Sequence, residues 1–391
     1  MFYFKYKAYG RFGIRCHQDN MKAVILAGGE SQKLVPITTD SRPKTMVYLM
    51  NQSVMERIIN ALPPQVDEVI ITTDRGAETL SAYLNGRAKK RNDLRFKGKI
   101  RVVKEEKPFG TAGSVKLLEK EISDDDFIVL QSDVVSSVDI EEMLKVHKKK
   151  NAVVTVSLFK VAAAREYGIV AVDDSYRILK FIEKPKNDQL FSTLVNAGTY
   201  ICSPLIFEDI IQHGYTDFAR DVFPRLIRGG KPVYGYEFKG FWIDIGNFEK
   251  YKLAHKLLLE RTMTFKIPSV TKARIVPPVL IGKKCKIGKS VLGPNVCVGD
   301  GVVIEDNCKI YDSVIWPGTT IGSGCLIRGS VICEKCRIAD NVLIEETILG
   351  NKVAVSRGAK LTRGTRVWPS KRVSSDTREK EFIGAPEDFR L

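Results

Sequence analysis

A short apolar run, Val24-Ile25-Leu26-Ala27, leads directly into Gly28-Gly29, and the segment that follows carries Lys33 and then Lys44. Adjacent glycines let backbone N–H groups approach phosphate oxygens. Two lysines supply positive charge where negative charge develops during phosphoryl or nucleotidyl transfer. The segment therefore suits a triphosphate. It is not a Walker loop, because Gly-Lys-Ser/Thr is absent. Two carboxylates follow far apart in the chain: Asp133 in Gln131-Ser132-Asp133, and Asp244 in Phe241-Trp242-Ile243-Asp244-Ile245-Gly246. Two convergent aspartates, with phosphate oxygens and water, make a Mg²⁺ site. Alone, either one reads as readily as a helix cap or a turn former, and Glu183-Lys184 alone reads as a surface ion pair. Cys333-Glu334-Lys335-Cys336 has the spacing of half a zinc or redox site. No second such pair exists, and Cys336 occupies the same repeat slot as Cys285, Cys308 and Cys325, so these cysteines read as small apolar corner residues.

The elements that must position these groups change character along the chain. From Met21 to about Arg261, apolar strands alternate with helices. Strands are expected at Lys22 to Ala27, Val69 to Ile71, Ile100 to Val103 and Phe127 to Leu130. Ser53-Val54-Met55-Glu56 is a capping box that opens a helix carrying Ile58, Ile59 and Leu62. Gly76 to Leu84 and Thr111 to Ile122 read as helices, the second with Val115, Leu117 and Leu118 on or near one face. Such alternation predicts a mostly parallel sheet covered on both faces, with ligands at the carboxyl ends of its strands. Gly28-Gly29 and Asp133 both fall at such ends. From about Thr271, aliphatic residues recur at every sixth position: Ile281 and Ile287, then Val298, Ile304 and Ile310, then Ile321 and Ile327, then Ile332, Ile338 and Ile344. A small or aliphatic residue follows each by four, and Ser313-Val314-Ile315, Ser330-Val331-Ile332 and Thr347-Ile348-Leu349 are 17 residues apart. A hexad period with three hexads per turn predicts a parallel β-helix. Ser290-Val291-Leu292 stands one further hexad out of phase.

The 391 residues suit two or three domains, and with 44% hydrophobic and 28% charged residues the chain has material for a large core. Disordered, collagen-like and fibrous classes are excluded, and no apolar run is long enough to span a membrane. Residues 1–20 are charged and aromatic, unlike a secretory signal, and read as an extension ahead of Met21. The net charge of +16 fits a well-solvated surface and attraction to anionic substrates such as nucleotides. No aromatic-interleaved basic stripe suggests a nucleic-acid partner. Eight cysteines in a chain this long make no disulfide scaffold, so a reducing cytoplasm is the expected location. The four histidines (His17, His147, His213, His255) all precede the hexad region, which argues against an acyltransferase of the β-helix type.

The chain resembles the sugar-1-phosphate nucleotidylyltransferases, and among them the mannose-1-phosphate guanylyltransferases. The resemblance rests on Leu26-Ala27-Gly28-Gly29 with Pro43-Lys44-Thr45-Met46, and on Glu105-Glu106-Lys107-Pro108-Phe109-Gly110-Thr111-Ala112-Gly113. It continues through Ser132-Asp133, Tyr167-Gly168-Ile169-Val170, Phe181-Ile182-Glu183-Lys184-Pro185, Val195-Asn196-Ala197-Gly198-Thr199-Tyr200 and Gly240 to Gly246. The fold class this implies is α/β: a Rossmann-like, mostly parallel nucleotidyltransferase domain (21–262), then a left-handed parallel β-helix of hexapeptide repeats (263–370) and a C-terminal tail (371–391).

The resemblance implies that a sugar 1-phosphate attacks the α-phosphorus of a nucleoside triphosphate and pyrophosphate leaves, with Mg²⁺ held by Asp133 and Asp244. It places Lys44 among the phosphates. Ala27, Gly28 and Gly29 take the nucleotide, with Gly110 near the base and Glu105 or Glu106 reading guanine. Glu183 takes the sugar hydroxyls and Lys184 the sugar phosphate, while Asn196, Gly198 and Gly168 line the sugar pocket. GTP and mannose 1-phosphate are the favoured pair, with thymidylyl, uridylyl or adenylyl transfer to glucose 1-phosphate as alternatives. A homo-oligomer is also implied. One departure stands out. The family runs Gly-Thr-Arg where this chain has Ser31-Gln32-Lys33. Lys33 keeps the charge of the family's catalytic arginine but not its bidentate fork. Serine for glycine costs about 1–2 kcal/mol if position 31 needs a left-handed backbone. A regulatory relative that binds nucleotide sugar without turnover is the alternative this departure supports.

Overall fold

Strand β1 (Met21–Leu26) is apolar at every position but Lys22, and such a strand is stable only where both its faces are covered. In the computed structural model, which describes residues 21–29, 32–39, 42–88, 94–211, 214–261 and 272–386, it lies inside a nine-stranded sheet. The extension at 1–20, Ser31 and the last five residues lie outside the described residues. β1 pairs in parallel with β2 (Val66–Thr73), which pairs in parallel with β3 (Lys99–Lys104); on its other side β1 pairs in parallel with β4 (Phe127–Gln131). The chain continues through β5 (Val134–Ser136), β6 (Val154–Lys160), β7 (Gly168–Val172), β8 (Ile178–Glu183), β9 (Leu194–Cys202), β10 (Val233–Glu237) and β11 (Trp242–Asp244). Strand β9 runs antiparallel to β4, β6 and β7, and β8 runs antiparallel to β7. The sheet is thus parallel around β1 and mixed beyond β4. Side chains alternate between its faces: Ile25, Ile71 and Ile128 enter one core, Val24, Ile70 and Val129 the other.

Helix α1 (Val54–Asn60) opens with the expected capping box, the Ser53 hydroxyl accepting from Glu56 N–H and the Glu56 carboxylate from Ser53 N–H. Helix α2 covers Ala77–Tyr83. The single helix expected over 111–122 is two, α3 (Gly110–Lys116) and α4 (Glu119–Ile122). Val115 and Leu118 are buried, but Leu117 is 49% exposed. Residues three apart share a helix face, and the one between them does not. Helices α5 (Ile140–Lys150), α6 (Phe223–Arg228) and α7 (Phe248–Arg261) complete the domain.

The hexad region folds as three parallel sheets of six, seven and six short strands. Ile281, Ile287, Val298, Ile304, Ile310, Ile321, Ile327, Ile332, Ile338 and Ile344 are all buried. Burial of each such side chain contributes roughly 1.5–3 kcal/mol. The thiols of Cys285, Cys308, Cys325 and Cys336 repeat one contact, each donating to a carbonyl one coil on at 3.0–3.1 Å. Val291 pairs with Lys309 while Val314 pairs with Cys297, so the extra hexad sets Ser290-Val291-Leu292 on the neighbouring side. The coil continues past 370: Arg372–Val373 pairs with Ala354–Val355, and Phe382–Ile383 with Arg366–Val367. Much of the expected tail is therefore part of the β-helix.

The outer face of the seven-stranded sheet is apolar as well. Cys297, Val314, Trp316, Val331, Cys333 and Ile348 join the core of the first domain, against α7. Trp316 is 1% exposed, and its Nε1 donates to the hydroxyl of Tyr251 at 3.1 Å. Cys333 therefore packs between the domains, while Cys336, three residues on, stays inside the coil.

Candidate active site

The ends of the parallel strands are locked together. Ala27 N–H donates to Thr72 O, and Ser132 N–H to Leu26 O. Gly28-Gly29 and Asp133 therefore leave the same edge of the sheet. Asp244 reaches this edge through β11, which runs antiparallel to β5 with Asp244 opposite Val134; Ile245 N–H closes the pairing on Asp133 O at 2.8 Å. Two carboxylates 111 residues apart in sequence become neighbours in this way.

Lys44 joins them. It sits at the start of a single 3₁₀ turn, Lys44–Met46, anchored by buried Thr45 and Met46. Its Nζ lies 2.7 Å from Asp133 Oδ2 and 3.7 Å from Asp244 Oδ1. Burial, then the charge of Asp133, pushes the Asp244 carboxyl above the usual aspartate value, against the pull of Lys44 and Lys250. The Lys250 Nζ lies 3.5 Å from Asp244 Oδ2, 2.8 Å from Glu166 Oε2 and 2.9 Å from the Tyr167 hydroxyl. Burial opposes its charge, but Glu166, Tyr167 and Asp244 together raise its pKa. Glu166 in turn is held below the usual glutamate value, first by Lys250 and further by Lys33 and Lys184.

All of these groups but Lys44 line a cavity of about 510 Å³. Lys33, Asp133, Gly168, Glu183, Lys184, Asn196 and Asp244 line it, with Asp217, Arg165 and Lys250. Lys33 reaches it from a short turn, Gln32–Leu34, pinned by buried Leu34. Glu183 stands opposite Gly168 in the β7–β8 pairing. A Cβ at 168 would lie 2.6 Å from Glu183 Oε2, so glycine is what leaves room for the carboxylate. Burial pushes the Glu183 carboxyl up. The register of β9 shifts between Asn196 and Tyr200, where Asn196 Nδ2 donates to the Tyr200 hydroxyl at 2.9 Å. Gly198, at φ +80°, sits behind this bulge and donates to Asn196 Oδ1 rather than lining the cavity.

The residues expected around the nucleotide lie further along the same edge. Ala27, Gly28 and Gly29 leave β1, and Gly29 N–H donates to Asp74 Oδ1 at 3.2 Å. Glu105 follows β3, with its N–H on Thr73 O, and is buried, whereas Glu106 is exposed. Gly110, at φ +77°, packs so that a Cβ would meet the Thr216 carbonyl oxygen at 2.5 Å.

A polar cavity at strand ends, a lysine between two carboxylates and a glycine turn beside them thus gather at one edge of the sheet. Residues 22–261 match the nucleotidyl transferase family, and residues 271–383 match the GMPPB C-terminal domain. The chain belongs to the nucleotidyl transferase family. It is 31% identical to mannose-1-phosphate guanylyltransferase 1 of Arabidopsis thaliana, over 93% of this chain and all of that one. It is 29% identical to a UTP–glucose-1-phosphate uridylyltransferase of Synechocystis, over 73% of this chain and 82% of that protein. The crystal structure of HddC from Yersinia pseudotuberculosis superposes with a TM-score of 0.50 at 26% identity, covering 60% of this chain and 97% of that one.

Within the transferase domain, sequence reasoning missed Lys250, Glu166, Asp217 and Asp74 as site residues. Asp74 follows β2 directly, so the strand-end argument that found Gly28 and Asp133 also reaches it. Lys250 gives no comparable signal, since only the fold of α7 turns it toward Asp244.

Proposed function

We propose that this nucleotidyl transferase moves a nucleotidyl group from a nucleoside triphosphate, GTP by preference, to a sugar 1-phosphate, mannose 1-phosphate by preference. The observation that carries the reading is Lys44 held between Asp133 and Asp244 at the cavity edge. The base and sugar follow from the names of the guanylyltransferase relatives; the uridylyltransferase relative makes UTP with glucose 1-phosphate the pair to test beside them.

In this reading the sugar 1-phosphate lies in the cavity. Glu183 accepts from its hydroxyls and Asn196 flanks the ring, while Lys184 and Lys33 meet its phosphate. The nucleotide lies along the strand ends over Gly28 and Gly29, with Glu105 toward the base. A phosphate oxygen of the sugar then stands in line with the α-phosphorus, and Lys44 offsets the charge that builds as pyrophosphate leaves. Among the described residues no group of three His, Cys, Asp or Glu converges for a metal. Two aspartates on one lysine, one with its carboxyl pushed up by burial and then by the other, form an anionic pair that calls for a cation. The donor set fits Mg²⁺, which is bound by one or two carboxylates with phosphates and water completing the shell. Asp133 and Asp244 would hold it, and it would supply charge neutralisation at the α-phosphate. The same reading includes the homo-oligomer, built on β-helix surfaces that do not face α7. Among the described residues no helix is long and apolar enough to cross a membrane.

The test is Mg²⁺-dependent pyrophosphate release from GTP, UTP, dTTP and ATP with mannose 1-phosphate and glucose 1-phosphate, with Asp133→Ala alongside. Release with GTP and mannose 1-phosphate, falling at least about 100-fold in the variant, is expected. Silence across the panel while nucleotide sugar still binds would instead assign Ser31-Gln32-Lys33 to a non-catalytic relative.

A further inference from the structure

The segment that carries Lys44 is gripped from outside its own domain. Arg42, two residues before it, donates from Nη2 to Glu334 Oε2 at 2.6 Å. The pair is nearly out of water, with side chains 12% and 13% exposed. The guanidinium lies over the rings of Trp316, at 4.8 Å, and Tyr48, at 5.8 Å. The Tyr48 hydroxyl donates to the other Glu334 oxygen at 3.1 Å. Glu334 is itself fixed, its N–H donating to Asn351 Oδ1 one coil on. Glu334 and Trp316 belong to the β-helix; Arg42, Tyr48 and Lys44 belong to the transferase domain.

Only Pro43 separates Arg42 from Lys44. Its ring holds φ at −64°, and the 3₁₀ turn that follows closes with Val47 N–H on Lys44 O. A link this short and stiff passes a displacement of Arg42 on to Lys44. The β-helix holds the same segment twice more: Arg366 Nη1 donates to Val35 O at 3.2 Å, and Val298 O accepts from Asn51 Nδ2 at 2.8 Å.

We propose that Glu334 is a positioning residue for nucleotidyl transfer: through Arg42 it sets the place of Lys44 between Asp133 and Asp244. The inference rests on the reading of Lys44 as the lysine at the reacting phosphates. It gives the Cys333-Glu334-Lys335-Cys336 stretch a role that involves neither metal nor redox chemistry. It also makes the β-helix part of the active-site geometry. Removing one partner of a buried pair leaves the other charge uncompensated, so the loop cannot keep its place.

The test uses the full chain with Glu334→Gln, Arg42→Lys and, as control, Arg337→Ala, an exposed position on the same coil. Two readouts are taken: steady-state kinetics, and the rate at which a water-soluble acetylating reagent modifies Lys44, followed by peptide mass spectrometry. Glu334→Gln is expected to lower kcat on the order of 10–100-fold. KM for the sugar phosphate should stay within about twofold. Lys44 acetylation should rise several-fold, and in a Lys44→Ala background the substitution should lower turnover no further. Arg42→Lys, which keeps the charge but loses the planar guanidinium over Trp316 and Tyr48, should fall in the same direction. A lowered melting temperature with unchanged kcat and unchanged Lys44 labelling would overturn the inference and leave Glu334 an interface residue. If Glu334→Gln does not fold, Tyr48→Phe removes a single hydrogen bond to Glu334, and its silence in both readouts would be equally fatal. If the wild-type protein turns over no substrate pair, the proposed function fails, and the Lys44 labelling decides the inference by itself.

Discussion

Glu183 is the residue at which the demands of the site and of folding conflict. It faces the cavity from a largely buried position, and burial raises its carboxyl above the usual glutamate value. An acid whose pKa is raised by folding binds its proton more tightly in the folded state. Its charge therefore destabilises the fold above that raised pKa, and the penalty is relieved as the pH falls through it. Glu183→Gln removes the charge and keeps the shape. The variant is expected to melt higher than the wild type at pH 7. It should also raise KM for the sugar 1-phosphate on the order of tenfold or more, because a charge-strengthened hydrogen bond to the sugar is weakened. Thermal melts across a pH series check the sign: the gain should shrink as the pH falls through the raised carboxyl pKa. Lys33 belongs to the same scale. It lines the cavity at the position where the resemblance implies an arginine, and it lacks that residue's planar fork.

At the scale of elements, the β7–β8 pairing does what no single residue could. Its register sets Glu183 across from position 168, and glycine there leaves space for the carboxylate. Gly168→Ala would drive a methyl group to 2.6 Å from Glu183 Oε2 and 2.7 Å from the ring of buried Phe181. The expected result is a Kd for the sugar 1-phosphate raised on the order of tenfold, with nucleotide affinity unchanged, as measured by calorimetry with each ligand separately. The backbone can accept alanine, since Gly168 is not in the left-handed region. Much of this architecture could be read from the chain because its signals are local. The Ser53–Glu56 capping box, the apolar strands before Gly28 and Asp133, and the hexads with their 17-residue coil each depend on residues a few positions apart. What could not be read depends on contacts between distant segments. Lys250 meets Asp244 only because α7 folds back on β11. Asn196 is placed at the cavity by the family resemblance alone, since the antiparallel entry of β9 and its register shift, not residue spacing, bring it there. Leu117 shows the same limit in miniature: it is as apolar as its neighbours, and only the helix geometry turns it outward.

Over the whole molecule, the decisive feature is a second core shared between the transferase domain and the β-helix. Repeat proteins normally keep their outer faces polar and bury only the inside of the coil. Here one outer face carries Trp316, Val314, Val331 and Ile348, and α7 covers it. His255 on α7 lies in this seam, its Nδ1 3.3 Å from Cys297 Sγ and its Nε2 3.3 Å from Tyr48 O. Burial holds its pKa down to about 3; the Tyr48 carbonyl opposes this and Arg57 adds to it. A histidine that stays neutral when folded but takes a proton near pH 6.5 when released makes the seam acid-sensitive. The stability it allows is complete above about pH 6.5 and is lost as the pH falls below that, at about 1.4 kcal/mol per pH unit. Between pH 6.5 and 5 the wild-type protein should therefore lose about 2 kcal/mol more than His255→Gln, which can bond the Tyr48 carbonyl but does not titrate. Denaturant melts at the two pH values, followed by tryptophan fluorescence in a Trp242→Phe, Trp368→Phe background that leaves Trp316 as the reporter, measure that difference directly. Equal losses in the two proteins would mean that His255 is protonated in place, with the seam open enough to admit water. Because the same seam holds Arg42 against Glu334, acid loosening there should also reach Lys44, and activity should fall alongside the Trp316 signal rather than after it.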